Sequence, residues 1–83
     1  MNEIIFILSF NREEMLKNVI SCVEKFNYLI LDDGSDFTWE DKRFIKFDHK
    51  GREKWFELWN FALDYVRLHE FDLIVFTVFE LFV

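Results

Sequence analysis

Two short polar segments, each directly after an apolar run, carry the residues best suited to chemistry in this 83-residue chain. The first is Ser9-Phe10-Asn11-Arg12, and the second is Asp32-Asp33-Gly34-Ser35. An aromatic ring such as Phe10 offers a flat face on which a nucleobase can stack. A carboxylate accepts hydrogen bonds from ribose hydroxyls or from a base N–H. Together the two segments favour a nucleotide as the ligand.

Each of these residues also has a simpler structural explanation. Capping of a helix is sufficient to account for Asn11, the aspartates could form only a turn, and Phe10 could belong to the core. Two aspartates at the end of a buried strand, followed by Gly-Ser, nevertheless favour ligand binding over a turn alone. His49 and His69 lack metal-ligand spacing, and we expect both on the surface.

Apolar runs that do not alternate with polar residues predict the strands that position these segments. Residues 4–10, 28–31 and 72–79 are runs of this kind, which is typical of strands buried on both faces of a parallel sheet. Residues 44–47 alternate between apolar and polar side chains, and they predict a shorter strand.

Helical spacing of apolar residues predicts two helices between the strands. The first covers about residues 12–25, with Asn11 as its N-cap and Glu14 completing a capping box. The second covers about residues 52–69. Its predicted buried stripe is Trp55, Leu58, Trp59, Ala62, Leu63 and Val66, and apolar residues predicted outside the stripe are Phe56, Phe61 and Tyr65.

The order β-α-β-(β)-α-β predicts an α/β, Rossmann-like fold with a mainly parallel sheet and right-handed crossovers. Ligands of such sheets bind at the carboxyl ends of the strands, near the point where the strand order reverses. Strands one and two would bring both polar segments to one edge of the sheet. The candidate ligand-binding segments are therefore residues 9–12 and 32–35.

Composition and charge exclude several classes of function. The net charge of −6 disfavours binding to nucleic acid, because the phosphate backbone is repelled. The single cysteine, Cys22, cannot form an intramolecular disulfide, which fits the reducing cytoplasm. Charged residues interrupt any signal-peptide core near the start. The longest apolar stretch, residues 73–79, is far below the roughly 20 residues that cross a bilayer.

The two polar segments, with a helix between them, resemble the opening of the family-2-like inverting glycosyltransferases of the GT-A fold. That opening is a hydrophobic strand, a Ser/Thr-aromatic-Asn-Arg/Lys turn, and a second strand ending in Asp-Asp-Gly/Asn-Ser. In this chain the matching strings are Ile7-Leu8-Ser9-Phe10-Asn11-Arg12 and Leu29-Ile30-Leu31-Asp32-Asp33-Gly34-Ser35. The resemblance extends to about residue 76, and Asn60 resembles an Asn that follows the family's glycine-containing loop.

The resemblance implies a role for each matched residue. Ser9, Phe10 and Arg12 would lie against the nucleotide, with Phe10 near the base. Asp33 would hold the uracil or the ribose, and Asp32 would support the loop. Donor-flanking positions would be His49, Lys50, Gly51 and Arg52. The implied partner is a nucleoside-diphosphate sugar, of UDP type.

The chain departs from the family where the family binds its metal. An acidic Asp-x-Asp-type motif that holds Mn²⁺ or Mg²⁺ follows the fourth strand in the family, whereas residues 77–83 read TVFELFV. The family's catalytic base lies later still. We therefore expect one truncated, incomplete GT-A domain over residues 1–83, without a cofactor of its own and inactive alone. The metal is expected in the full-length parent.

Other classes of function remain open at this point. A dinucleotide-binding module fits an acidic residue after strand two, but residues 9–15 contain no glycine for the G-x-G-x-x-G turn. A receiver-like signalling domain needs its acidic pair after strand one. The main alternative is a non-catalytic interaction domain that dimerises through exposed aromatic side chains, and self-association through exposed apolar surface is expected of it.

Overall fold

The computed structural model describes residues 2–48, 55–71 and 73–78 of the chain. These residues form alternating strands and helices, as the apolar runs predict. In chain order the elements are β1 (Glu3–Ser9), α1 (Glu13–Val23), β2 (Tyr28–Asp32), β3 (Phe44–Lys46), α2 (Trp55–His69) and β4 (Leu73–Val78).

The four strands of the described residues form one sheet in the order β3-β2-β1-β4, and every neighbouring pair is parallel. The chain steps from β1 outward to β2 and β3, and it then crosses back to add β4 on the other side of β1. The strand order therefore reverses between β1 and β4. This arrangement confirms the prediction of an α/β, Rossmann-like fold with a parallel sheet.

Both faces of the sheet carry buried apolar side chains, because successive residues of a strand point to opposite faces. The α2 side contains the buried residues Ile4, Phe6, Leu8, Leu29, Leu31, Leu58 and Ala62. The α1 side contains Ile7, Leu16, Tyr28, Ile30 and Phe44. The result is three layers, with the sheet between the two helices. This explains why the central strands read as continuous apolar runs rather than as alternating ones.

The buried face of α2 agrees with the predicted stripe at Leu58, Ala62 and Val66, and it departs from the prediction at other positions. Leu58 and Ala62 are fully buried, and Phe61 and Tyr65 pack against the core, whereas Leu63 is 50% exposed. The prediction that placed Phe61 and Tyr65 outside the buried stripe is therefore wrong. Because α2 is apolar around most of its circumference, its sequence fixes the helical period but not which side faces the sheet.

Many apolar side chains lie on the surface. This is expected, because 52% of the residues are hydrophobic. Exposed large apolar residues include Met15, Phe26, Phe56, Trp59, Leu63, Leu68, Leu73 and Val75. None of the helices in the described part of the chain has the length and apolar character needed to cross a membrane.

Candidate functional site

The ends of β1 and β2 bring the two polar segments together. Ser9 and Asp32 are register partners at the carboxyl ends of these neighbouring parallel strands. The backbone N–H of Asp33 donates to the carbonyl oxygen of Ser9 at 2.8 Å. The expected convergence of residues 9–12 and 32–35 on one edge of the sheet is thus present, and whether they bind a ligand stays a prediction.

Asn11 links the two segments instead of capping α1. Its backbone has a φ of 50°, and its N–H donates to Ser35 Oγ at 2.7 Å. Its side-chain Oδ1 accepts the backbone N–H of Asp36, also at 2.7 Å. The N-cap position of α1 is occupied by Arg12, which makes no side-chain capping bond.

The prediction of an Asn11 N-cap paired with Glu14 is therefore wrong. Asparagine is one of the few residues that tolerate a left-handed backbone, and its short amide can bond to nearby backbone groups. The group it reaches lies 25 positions further along the chain. Local sequence pattern carries no signal for a contact at that separation.

The turn after β2 is held from inside by Asp32, whose side chain is fully buried. Asp32 Oδ2 accepts the backbone N–H of Ser35 at 2.7 Å, and Oδ1 accepts the Ser35 hydroxyl at 2.5 Å. Gly34 has a φ of 84°, a conformation that favours glycine. Ser35 joins Asp32 to Asn11, so both segments belong to a single hydrogen-bond network.

Ser9 and Asp33 are polar residues buried at this same edge, with exposed fractions of 2% and 0%. Among the residues that the structure describes, the Ser9 hydroxyl has no hydrogen-bond partner. Buried hydroxyls are almost always hydrogen-bonded in folded proteins, and an exception calls for an explanation. A ligand at the edge of the sheet would supply the missing partner of Ser9.

The remaining predicted residues differ in their exposure to solvent. Phe10 is half-buried and Arg12 is exposed. The donor-flanking positions His49, Lys50, Gly51 and Arg52 lie outside the described residues.

The first turn of α1 contains Glu13 and Glu14, and Glu13 Oε2 accepts the Trp39 indole N–H at 2.7 Å. Two carboxylates in this turn offset the positive end of the helix dipole and disfavour an anion there. The start of α1 is therefore a poorer phosphate site than its position at the sheet edge indicates.

The described residues do not supply a metal-ligand set. Within residues 2–48, 55–71 and 73–78, no three His, Cys, Asp or Glu side chains are grouped so that they could hold a metal ion. The divalent cation expected in a full-length parent stays a prediction.

A second polar cluster, which was not predicted from the sequence, lies at the opposite, amino-terminal edge of the sheet. The Arg43 guanidinium lies 4.2 Å from the centre of the Tyr28 ring and donates two 3.2 Å hydrogen bonds to the Asp41 carboxylate. These hydrogen bonds lower the pKa of Asp41, and burial raises the pKa of Tyr28. The Asp-x-Arg spacing just before β3 was the available signal. Because Asp41 neutralises Arg43, this cluster is structural.

Comparisons of the chain with protein-family models, curated proteins and solved structures find no match. The resemblance to the glycosyltransferases therefore depends on the two sequence motifs alone, and it stays a prediction.

Two substitutions of Asn11 test the link between the two segments. We expect Asn11→Gly to lower the free energy of unfolding by about 1 kcal/mol, because the hydrogen bond to Asp36 is lost. Asn11→Ala should cost about 1 kcal/mol more, because alanine resists a positive φ. Urea denaturation measures both. Asn18→Ala, on the exposed face of α1, is the matched control, and an Asn11→Ala effect no larger than the control would contradict the link.

Proposed function

We propose that the edge at which β1 and β2 end binds a nucleoside diphosphate, and that the chain is the nucleotide-sugar-binding half of a GT-A-type glycosyltransferase. One observation carries this proposal: Ser9 and Asp32 sit side by side at the carboxyl ends of neighbouring parallel strands. Open parallel sheets bind their ligands at this edge. The reversal of strand order beside β1 supports the same location.

The base and ribose are the parts of the ligand that suit the described residues. The half-buried ring of Phe10 stacks on the base, and the Ser9 hydroxyl gains the partner that it otherwise lacks. Asp33 accepts a hydrogen bond from the base N–H or from a ribose hydroxyl. Asp32 is committed to Ser35 and acts only by positioning the turn.

The diphosphate belongs away from the acidic first turn of α1. A diphosphate placed there would be repelled by the carboxylates of Glu13 and Glu14. The exposed guanidinium of Arg12, by contrast, attracts it. In our proposal the diphosphate lies beside Arg12. The family resemblance also assigns residues 49–52 to the donor, and these lie outside the described residues.

The parent reaction in this proposal transfers a sugar from a nucleoside-diphosphate donor to an acceptor hydroxyl. That step needs a general base to take the hydroxyl proton. The family that the chain resembles also uses an acidic metal-binding motif after the fourth strand, whereas residues 77–83 of this chain read TVFELFV. We therefore expect the 83-residue chain to bind nucleotide without catalysing transfer.

Isothermal titration of the chain with UDP tests the proposal. We expect weak UDP binding that Phe10→Ala reduces roughly 5- to 150-fold, because stacking of one base contributes about 1–3 kcal/mol. Phe26→Ala is the matched control, since Phe26 is 46% exposed and follows α1 at the other end of β2. NAD and inorganic phosphate are the comparison ligands.

Three outcomes of the UDP and NAD titrations would contradict the proposed site. They are the absence of UDP binding, an equal loss in Phe10→Ala and Phe26→Ala, and tighter binding of NAD than of UDP. The last result would favour the dinucleotide-binding alternative. Binding of phosphate as tight as that of UDP would show that Phe10 and the base make no contribution.

A non-catalytic interaction domain is the second candidate. The exposed apolar residues favour it, since Phe56 is 59% exposed and Leu63 is 50% exposed on α2. Contiguous exposed apolar surface marks sites of protein contact. An unchanged melting temperature with UDP, together with a defined dimer in solution, would support this candidate over the first.

A further inference from the structure

A lysine, Lys46, ends β3 at the same edge of the sheet as the candidate site. Lys46 is the register partner of Asp32, which is in turn the register partner of Ser9. Lys46 lies two positions after Phe44, which is buried on the α1 side of the sheet. Ser9 lies two positions after Ile7, which is buried on that same side. Because side chains alternate along a strand, Lys46 and Ser9 face the same side, with about 10 Å between their backbones.

The side chain of Lys46 is held by the loop that follows the turn after β2. Its Nζ donates to the carbonyl oxygen of Phe37 at 2.8 Å and to Thr38 Oγ1 at 2.7 Å. An ammonium group has three N–H donors, so one is left for a further acceptor. Both acceptors are neutral, and none of the carboxylates that the structure describes forms an ion pair with Lys46. The exposed ammonium therefore has a positive charge and a donor available to a ligand.

Arg12 and Lys46 both lie close to the hydrogen bond that joins the two polar segments. In that bond, Asn11 Oδ1 accepts the backbone N–H of Asp36. Arg12 directly follows Asn11 in the chain, and the two acceptors of Lys46 lie one and two residues after Asp36. The two cations thus approach the same part of the edge from different strands.

Acidic side chains at this edge oppose the binding of an anion. Glu13 and Glu14 lie in the first turn of α1, and Asp36 is exposed beside the link to Asn11. These carboxylates repel a phosphate group. A diphosphate at this edge therefore needs positive charge from more than one side chain.

We propose that Lys46 is the second cationic contact of the bound nucleotide, and that its remaining N–H donates to an oxygen of the diphosphate beside Arg12. This inference rests on the proposed nucleotide site and adds a determinant of its specificity. Hydrogen bonds between charged groups are stronger than neutral ones. Lys46 thus makes the site select UDP over uridine, which offers no phosphate. Its role is in binding.

NMR titrations of the chain with UDP and with uridine, which also follow weak binding, test this role in Lys46→Met. We expect the dissociation constant of UDP to rise about tenfold or more, the usual effect of losing a hydrogen bond between charged groups. Uridine should bind the variant as it binds the unmodified chain. Lys46→Arg should retain most of the affinity for UDP, because arginine keeps the charge and the donors.

Lys25→Met is the matched control, because it changes the net charge by the same amount. Lys25 is exposed and lies between α1 and β2, at the amino-terminal edge of the sheet. Added salt gives a further readout. The difference in UDP affinity between the unmodified chain and Lys46→Met should shrink as the salt concentration rises, because salt screens a charge contact.

Lys46 also holds the loop at residues 37–38, and a purely structural role would give a different result. Loss of the loop would weaken UDP and uridine binding alike, in a manner that salt does not change. That result, or equal losses of UDP affinity in Lys46→Met and Lys25→Met, would overturn the inference and leave the UDP site in place. Absence of UDP binding to the unmodified chain would instead overturn the proposed function together with this inference.

Discussion

Replacing Phe6 by alanine is expected to lower the free energy of unfolding by about 3–5 kcal/mol, the usual cost of removing a buried phenylalanine. Phe6 is fully buried in the middle of β1, with Tyr65 edge-on at 6.1 Å and Phe76 stacked at 5.4 Å. A domain of this size has a total stability of about 4–12 kcal/mol. The substitution therefore removes a large share of what holds the domain together.

Urea denaturation followed by circular dichroism measures this effect. Phe56→Ala is the matched control, because Phe56 is 59% exposed and its loss should change stability by no more than about 0.5 kcal/mol. Phe6→Leu, which keeps most of the buried volume, remains measurable if the alanine variant does not fold. Equal effects of Phe6→Ala and Phe56→Ala would mean that Phe6 is not in the core.

Removing the carboxylate of Asp32 has the second largest expected effect. Asp32→Ala should cost about 2–4 kcal/mol, because it leaves the buried N–H and hydroxyl of Ser35 without their acceptor. Asp32→Asn should cost less, since the amide oxygen can still accept one of the two hydrogen bonds. The same turn holds Asn11, so the loss should extend to residues 9–12.

Chemical denaturation and hydrogen exchange at Ser35 and Asp36 report the two parts of this prediction. Asp64→Ala is the control, because Asp64 is exposed on α2 and its ion pair with Arg67 is long, at 3.6 Å. An Asp32→Ala variant as stable as the control, with Ser35 still protected from exchange, would show that the turn does not depend on Asp32.

The strands were the most predictable part of the fold. Residues 28–31 and 4–10 are apolar without alternation, and this pattern has few solutions other than a strand covered on both faces. Helices between the runs then require parallel pairing and right-handed crossovers. The placement of Ser9 beside Asp32 follows from this topology, because both residues end strands that are neighbours in the sheet.

Contacts between distant segments were not predictable. Asn11 has the residue type of a helix cap, and only the folded chain shows that its amide meets Asp36 instead. The face of α2 was ambiguous for a different reason. Leu63 and Tyr65 both fit an apolar helical period, but Tyr65 packs against the core and Leu63 is 50% exposed. Hydrophobic pattern determines the period of an element and leaves its orientation to tertiary packing.

The candidate site contains both predictable and unpredictable features. Its position at the sheet edge follows from sequence, but the bonds that hold Asp32 and Asn11 to Ser35 do not. Those bonds show which residues hold the shape of the site, and they distinguish these residues from the ones that we propose contact a ligand. Asp32 and Asn11 are already committed, whereas Ser9 and Phe10 are the groups on which the proposed nucleotide contact depends.

Titration of the ¹⁵N-labelled chain with UDP, followed residue by residue in NMR spectra, shows directly whether UDP binds where β1 and β2 end. We expect the amide signals of residues 9–12 and 32–35 to shift together and to saturate with a single dissociation constant. The signals of Tyr28 and Arg43, at the amino-terminal edge, should not shift. Shifts confined to that opposite edge, or no shifts at saturating UDP, would rule out the proposed nucleotide site.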